Sequence, residues 1–190
     1  MSDNIMKVDL RSIKTEKALR LAMLSLLEKQ NFGRIKVIEI CDEALMSRAA
    51  FYAHYNDKYD LLKNLLTCFA PVNIDEYSDY KQLETAINQF IYENKKIISN
   101  IILDADNETL EIITNYIITN IIPIRYNTGK ANHKDIVISN FFAGGIYYYV
   151  LWLVKNKFPY EIPPLNPWIY DIILTSNKYN GRIKNRKFSK

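Results

Sequence analysis

The chain has 190 residues, 48% of them hydrophobic, and a formal net charge of +4 at pH 7. That length and apolar content suit one or two compact domains and exclude a disordered polar chain. The charge is unevenly placed: residues 1–65 hold 11 Lys/Arg against 9 Asp/Glu, residues 66–177 hold 8 against 12, and residues 178–190 hold 6 against none. An acidic middle is a poor nucleic-acid surface, whereas both ends are basic. Enzyme signatures are missing. His54 and His133 are the only histidines, and the sequence holds no G-x-S-x-G, H-E-x-x-H, Walker glycine loop or G-x-G-x-x-G. Cys41 and Cys68 have no partners at metal-ligand spacing and read as small hydrophobes rather than a redox pair. No catalytic residue, metal or cofactor is expected. Without a secretory signal, the reduced cytoplasm is the expected compartment.

Taken in chain order, residues 36–62 are the most informative. Val37, Ile40, Cys41 and Ala44 fall at the i, i+3, i+4, i+7 spacing of one helical face. Leu45-Met46 breaks that period. Ser47 is a natural N-cap, its hydroxyl able to accept from the free N–H groups of the following turn. Phe51 and Tyr55 give the next helix a buried side, leaving Arg48, Ala49, Tyr52 and Ala53 on or near the other. A third helix starts near Asp57. A short propped helix with a small, polar leading end suits insertion into a DNA major groove.

This order of residues resembles the DNA-binding domain of the tetracycline-repressor (TetR) family. The likeness runs from Val37 through Ile40-Cys41, Ala44, Ser47, Phe51-Tyr52, Tyr55 and Lys58 to Leu61-Leu62. Upstream, Ile13, Ala18, Leu21, Ala22, Leu26, Leu27 and Phe32-Gly33 fit that family's first helix and its end. Three positions depart from the pattern. Lys36 stands where Thr is frequent, Leu45 replaces the turn glycine, and Ala50 stands where a polar residue is common. The resemblance implies an all-α protein with a helix-turn-helix domain at 10–66, a ligand-binding and dimerising helical bundle at 67–177, and a basic tail at 178–190 that reads as flexible. It also implies that Ser47, Tyr52, His54 and Lys58 hold phosphates, with Lys36 as substitute donor. Arg48, second in the recognition helix, is placed for guanine O6 and N7 or for a phosphate, and Ala49 for a base methyl. For Tyr52 and His54 the competing reading is packing against the first helix.

Beyond residue 66 the chain reads as a helical bundle. Asp75–Tyr80 reads as a polar linker. One helix is expected over 81–102, with Leu83, Ala86, Ile87, Phe90, Ile91, Ile97, Ile98 and Ile101 as its stripe, and another from Thr109 to Ile122. Asp104, Asp106, Glu108 and Glu111 read as charges complementing a helix start rather than as a metal site. A loop is expected at 126–129, a long helix over 134–157 and a last one over 167–176. Ile136 to Val154 contains 19 residues without a charge, close to the length of a bilayer span. Ser139-Asn140, three consecutive tyrosines and the absence of a second such segment favour a helix buried on several sides over a membrane anchor. Dimerisation supplies that burial, with Phe141, Gly144, Gly145, Tyr148 and Trp152 at the subunit interface. Tyr92, Tyr116, Tyr147, Tyr148 and Trp152 are candidate walls of an effector pocket, or plain core.

The expected function is a homodimeric transcriptional regulator, in its simplest form a repressor. It binds a palindromic double-stranded operator through the helix at 47–55 and responds to a small molecule or partner in the bundle. The alternative is a protein-interaction regulator of the same fold that has lost operator binding, a reading that rests on Leu45 and Ala50.

Overall fold

A computed structural model describes residues 10–69, 80–121 and 133–159. The expected linker over 75–79, the loop at 126–129, the last helix at 167–176 and the tail at 178–190 lie outside the described residues. Every described element is helical and none is a strand, so the all-α class holds. The chain divides into two compact units, Met1–Phe69 with Lys96–Ile112, and Ala70–Lys95 with Ile113–Lys190.

The first unit is built on α1 (Leu10–Leu27), which turns Leu19, Ala22, Met23, Leu26 and Leu27 inward at spacings of three and four. A 3-10 turn over Phe32–Arg34 then tucks Phe32 and Ile35 into the same core. Helices α2 (Val37–Glu43), α3 (Arg48–Tyr52) and α4 (Lys58–Phe69) close it with Ile40, Cys41, Phe51, Tyr55, Leu61, Leu62 and Leu65. Burying each large aliphatic or aromatic side chain contributes about 1.5–3 kcal/mol. Polar ties add direction: Arg20 Nη1 and the Tyr55 hydroxyl both donate to Asn64 Oδ1, at 2.7 and 3.2 Å, pinning α1 and the end of the α3 turn to α4.

Residues 96–112 complete this unit. In α6 (Lys95–Ile102), Ile97, Ile101 and Ile102 are buried, and the Asn100 amide donates to the Leu27 carbonyl at 2.7 Å. That carbonyl lies in the last turn of α1, where intrahelical donors have run out. The Asn31 amide donates to the Asp104 carboxylate. Asp106 caps α7 (Asn107–Tyr116), accepting the Thr109 N–H at 2.8 Å. Asp106 and Glu108 thus stand at the start of α7, as the charge pattern suggested, while the tie of Asp104 to Asn31 is an additional contact.

Two expected helices are interrupted. The stretch expected as one helix over 81–102 is α5 (Tyr80–Glu93) and α6, parted at Asn94. The Asn94 side-chain amide donates to the Phe90 carbonyl at 2.8 Å, alongside its own backbone N–H at 3.1 Å, which is the local competition that makes Asn a poor interior residue. The linker expected to run to Tyr80 ends one residue sooner, since Tyr80 opens α5. The helix expected over 109–122 starts two residues earlier, because Asp106 is the cap, and widens to a π turn at Ile117–Ile121.

In the second unit α8 (His133–Lys155) packs on that π turn. Ser139, Phe142, Ala143, Tyr147, Leu153 and Val154 are buried. The helix closes with Lys157 and Phe158 at φ 56° and 52°, their N–H groups meeting the Val154 and Leu153 carbonyls at 3.0 and 2.8 Å. Pro159 follows, which cannot continue a helix.

The α2–α3 turn carries the clearest backbone strain. Leu45 has φ 54° and is 93% exposed. Its N–H meets the Asp42 carbonyl at 3.1 Å, and Met46 N–H meets Cys41 at 2.9 Å, the paired bonds of a Schellman ending. A left-handed non-glycine residue costs about 1–2 kcal/mol, partly offset in a glycine by its larger unfolded-state entropy. Leu45→Gly is expected to raise stability by roughly 0.5–1 kcal/mol, since an exposed side chain takes no core contact with it. Denaturant midpoints of the two proteins check this; a lower midpoint for the glycine variant rejects the strained turn.

Candidate nucleic-acid interface

The site grows from the two short helices after the 3-10 turn. Lys36 is the residue at the head of α2, and its N–H donates to Glu39 Oε2 at 2.8 Å. This is half of a capping box, because an ammonium side chain has no lone pair with which to answer the Glu39 N–H. The Gln30 amide holds the other Glu39 oxygen at 3.0 Å. Those two donors, Gln30 foremost, keep the Glu39 carboxyl below the usual carboxylate range. With its N–H engaged, the Lys36 side chain stays exposed.

Ser47 is the N-cap of α3, extended at φ −75° and ψ 154°, and its hydroxyl oxygen accepts from Ala50 N–H at 3.1 Å. The hydroxyl proton is left free to donate outward. Phe51 is fully buried and makes edge and tilted contacts with Tyr52 and Tyr55 at 5.4 and 5.8 Å. Anchoring Phe51 leaves Arg48 and Ala49 exposed and Tyr52 half exposed. The helix thus shows a cation, a small residue and an aromatic hydroxyl on its outer side, a set suited to base edges and phosphates.

Two residues of the expected phosphate set face inward. His54 Nδ1 lies 3.6 Å from Glu16 Oε1 of α1, and its side chain is only 18% exposed. This is the packing reading of His54. Lys58 Nζ donates to the carbonyls of Phe32, Gly33 and Ile35 at 2.9, 3.0 and 3.1 Å. Burial pushes its pKa down, opposed by the Asp106 and Glu39 carboxylates.

Beside it, the Tyr59 hydroxyl donates to Asp106 Oδ2 at 2.6 Å, joining the start of α4 to the cap of α7. Nothing in the sequence spacing marks this tie, although Asp106-x-x-Thr109 does mark the cap. The hydrogen bond to Asp106, then burial, pushes Tyr59 up to about 12. The same hydrogen bond, with the Thr109 N–H, holds Asp106 below its usual range against the opposing effect of burial.

The aromatic residues proposed for an effector pocket are divided. Tyr147 is buried and Tyr116 is half-buried, its phenol pushed up to about 12 by burial. Tyr148, about 100° round α8 from Tyr147, is 67% exposed, and Trp152 is 43% exposed. Tyr92 is also exposed, with Lys95 Nζ 4.6 Å over its ring. Val137, Phe141, Gly144, Gly145, Tyr148 and Trp152 fall within an arc of about 100° on α8 at 3.6 residues per turn. Phe141 is 77% exposed on that arc, and a Cβ built on Gly144 or Gly145 meets nothing within 4 Å.

A short capped helix presented on a core of α1, α2 and α4, with a further helical unit after it in the chain, defines a helix-turn-helix protein. Comparison with known structures gives the fold more closely. A TetR transcriptional regulator from Streptococcus agalactiae 2603V aligns over 87% of this chain and 94% of its own, with TM-score 0.54 and 19% identity. The dihydroxyacetone kinase operon activator DhaS aligns over 88% and 98%, with TM-score 0.52 and 19% identity. The chain has the TetR-type fold. In sequence it is 29% identical over 100 residues to YxbF of Bacillus subtilis (strain 168), an uncharacterized HTH-type transcriptional regulator. That match takes in 52% of this chain and only 25% of the relative's length. No family model matches the sequence.

The Tyr59–Asp106 tie has a spectroscopic test. Asp106→Asn keeps an acceptor and a helix cap but removes the charge. One tyrosine should then ionise nearer its ordinary value of about 10. Because the folded value of Tyr59 lies above the unfolded one, the tie stabilises fully below about pH 10 and is lost as pH rises through about 12. Tyrosinate absorbance across alkaline pH reads the shift; an unchanged titration curve removes Asp106 as its cause.

Proposed function

We propose that this protein is a homodimeric DNA-binding transcriptional regulator. In this reading α3 enters the major groove of a palindromic operator, and occupancy of the operator represses transcription. The observation that carries it is the outer side of α3, where Arg48, Ala49 and Tyr52 stand exposed while Phe51 is locked in the core. Lys36, Ser47, Arg48 and Tyr52 supply the outward donors. The turn at Leu45 keeps its helix-ending hydrogen bonds without glycine, which favours operator binding over the interaction-only alternative. Double-stranded DNA in the cytoplasm is the partner.

Selection from a random-sequence duplex pool tests the reading directly, with enrichment of an inverted repeat as the expected result. A reporter carrying that repeat then gives the sign, which matters because DhaS is an operon activator. Arg48→Ala is expected to weaken the selected duplex by about 1–3 kcal/mol and to relax preference at one base pair per half-site. Uniform weakening across all sequences would make Arg48 a phosphate contact instead, and unchanged binding would remove it from the interface.

The exposed arc of α8 supports the dimer. Phe141, Tyr148 and Trp152, with Val137, give an apolar strip of a kind that lone soluble chains seldom leave uncovered. The open space at Gly144 and Gly145 lets a second backbone approach closely. Two-fold pairing through this strip matches a palindromic site, whose half-sites lie about 34 Å apart. An effector held by the second unit would change that separation by favouring one of two states. Gly144→Arg should yield monomers or aggregates that no longer retard the selected duplex. A folded Gly144→Arg protein that still sediments as a dimer rejects this interface.

A further inference from the structure

Lys58 stands where the sequence suggested a phosphate contact, yet its surroundings give the ammonium other work. It has three N–H donors and no acceptor. Three carbonyls surround it at 2.9–3.1 Å, those of Phe32, Gly33 and Ile35. Its nitrogen also lies 4.7 Å from the Phe32 ring centre and 5.4 Å from that of Tyr59, two rings that meet edge to face at 5.3 Å. Carbonyl dipoles and aromatic faces both favour a cation. A phosphate drawing on the same ammonium would have to displace one of these acceptors.

The turn so held is the entrance to the recognition element. Phe32 and Ile35 on either side of it are buried, at 2% and 1% exposure. Lys36 follows directly, and its carbonyl accepts from Glu39 and Ile40 N–H at 3.0 and 3.3 Å to start α2. From α2 the Schellman turn at Leu45 leads straight to the Ser47 cap of α3. With α2 only seven residues long and α3 five, neither sets its own direction, and each inherits it from its ends.

We propose that Lys58 is a positioning residue whose ammonium clamps the turn at residues 32–35 and thereby sets the angle at which α2 and α3 meet DNA. Its ammonium is satisfied by backbone carbonyl dipoles and not by a phosphate. This rests on the DNA-binding reading for its consequence, but the clamp itself is a property of the free protein.

The test uses the full chain and Lys58→Met, which keeps the length of the stem and removes the charge. Amide hydrogen exchange of the free protein should quicken at residues 32–37 relative to α1 and α4. Against a duplex selected from a random pool by the wild-type chain, affinity should fall about tenfold or more at one salt concentration. The slope of log affinity against log salt should stay unchanged, because no phosphate contact is lost. Affinity for a mixed-sequence duplex should fall much less, a split that simple destabilisation below the melting transition does not produce. A slope shallower by about one per half-site, with local exchange unchanged, would show Lys58 on a phosphate and overturn the proposal. Faster exchange with unaltered affinity would leave a fold-stabilising strut and overturn the positioning role. If the wild-type chain enriches no duplex, the DNA-binding reading fails with its positioning consequence, while the exchange measurement still judges the clamp.

Discussion

The head of this protein depends on closing the ends of helices too short to stand by themselves. Isolated helices below about 12–15 residues are marginal in water, and α2 and α3 have seven and five. Their backbone donors and acceptors are mostly end groups, so the ends decide whether the helices exist. Glu39 takes the Lys36 N–H, Ser47 takes that of Ala50, and Leu45 turns left-handed to satisfy the carbonyls of Cys41 and Asp42. Apolar burial of Ile40, Cys41 and Phe51 supplies the driving force, and the end groups supply the direction.

The same logic extends the head past the stretch that looks like a DNA-binding domain. Asn100 reaches the Leu27 carbonyl, Asn31 reaches Asp104, and Tyr59 reaches Asp106. Each of these ties joins residues 47–73 positions apart in the chain. Ile97, Ile101 and Ile102 close the apolar side of the same junction. Residues 96–112 therefore belong with the head in one compact unit, so a fragment ending near residue 66 would lack the partners of Leu27 and Tyr59.

A conflict between local and tertiary demands shows in Leu45. Local preference asks for glycine in the left-handed region, and the chain supplies a branched residue that is almost wholly exposed. The hydrogen bonds at both sides of the turn hold it there. The strain stays local, since Met46 N–H and Ser47 Oγ are both well placed.

The spacing of Val37, Ile40, Cys41 and Ala44, the Ser47 cap and the Phe51/Tyr55 pair were legible in the sequence, because they express the 3.6-residue period and local capping. Buried Cys41 and Phe51 and exposed Arg48 and Ala49 follow from that period alone. Asn94 and Ile117 were harder to see: an apolar stripe continues through both, and a side-chain bond to Phe90 and a π turn end the regular helix without breaking the stripe. Lys58 and His54 carry charge or polarity at helical positions that read equally well as outward, and only the neighbouring turn and α1 turn them in. In α8 the composition is apolar nearly all round, so periodicity could not choose a face. Packing in the second unit chose one, burying Phe142, Tyr147 and Leu153 and leaving Phe141, Tyr148 and Trp152 outside. Local period and capping chemistry are written in neighbouring residues; which side a long apolar helix or a lone cation faces depends on groups distant in the chain, and only the folded structure brings those together.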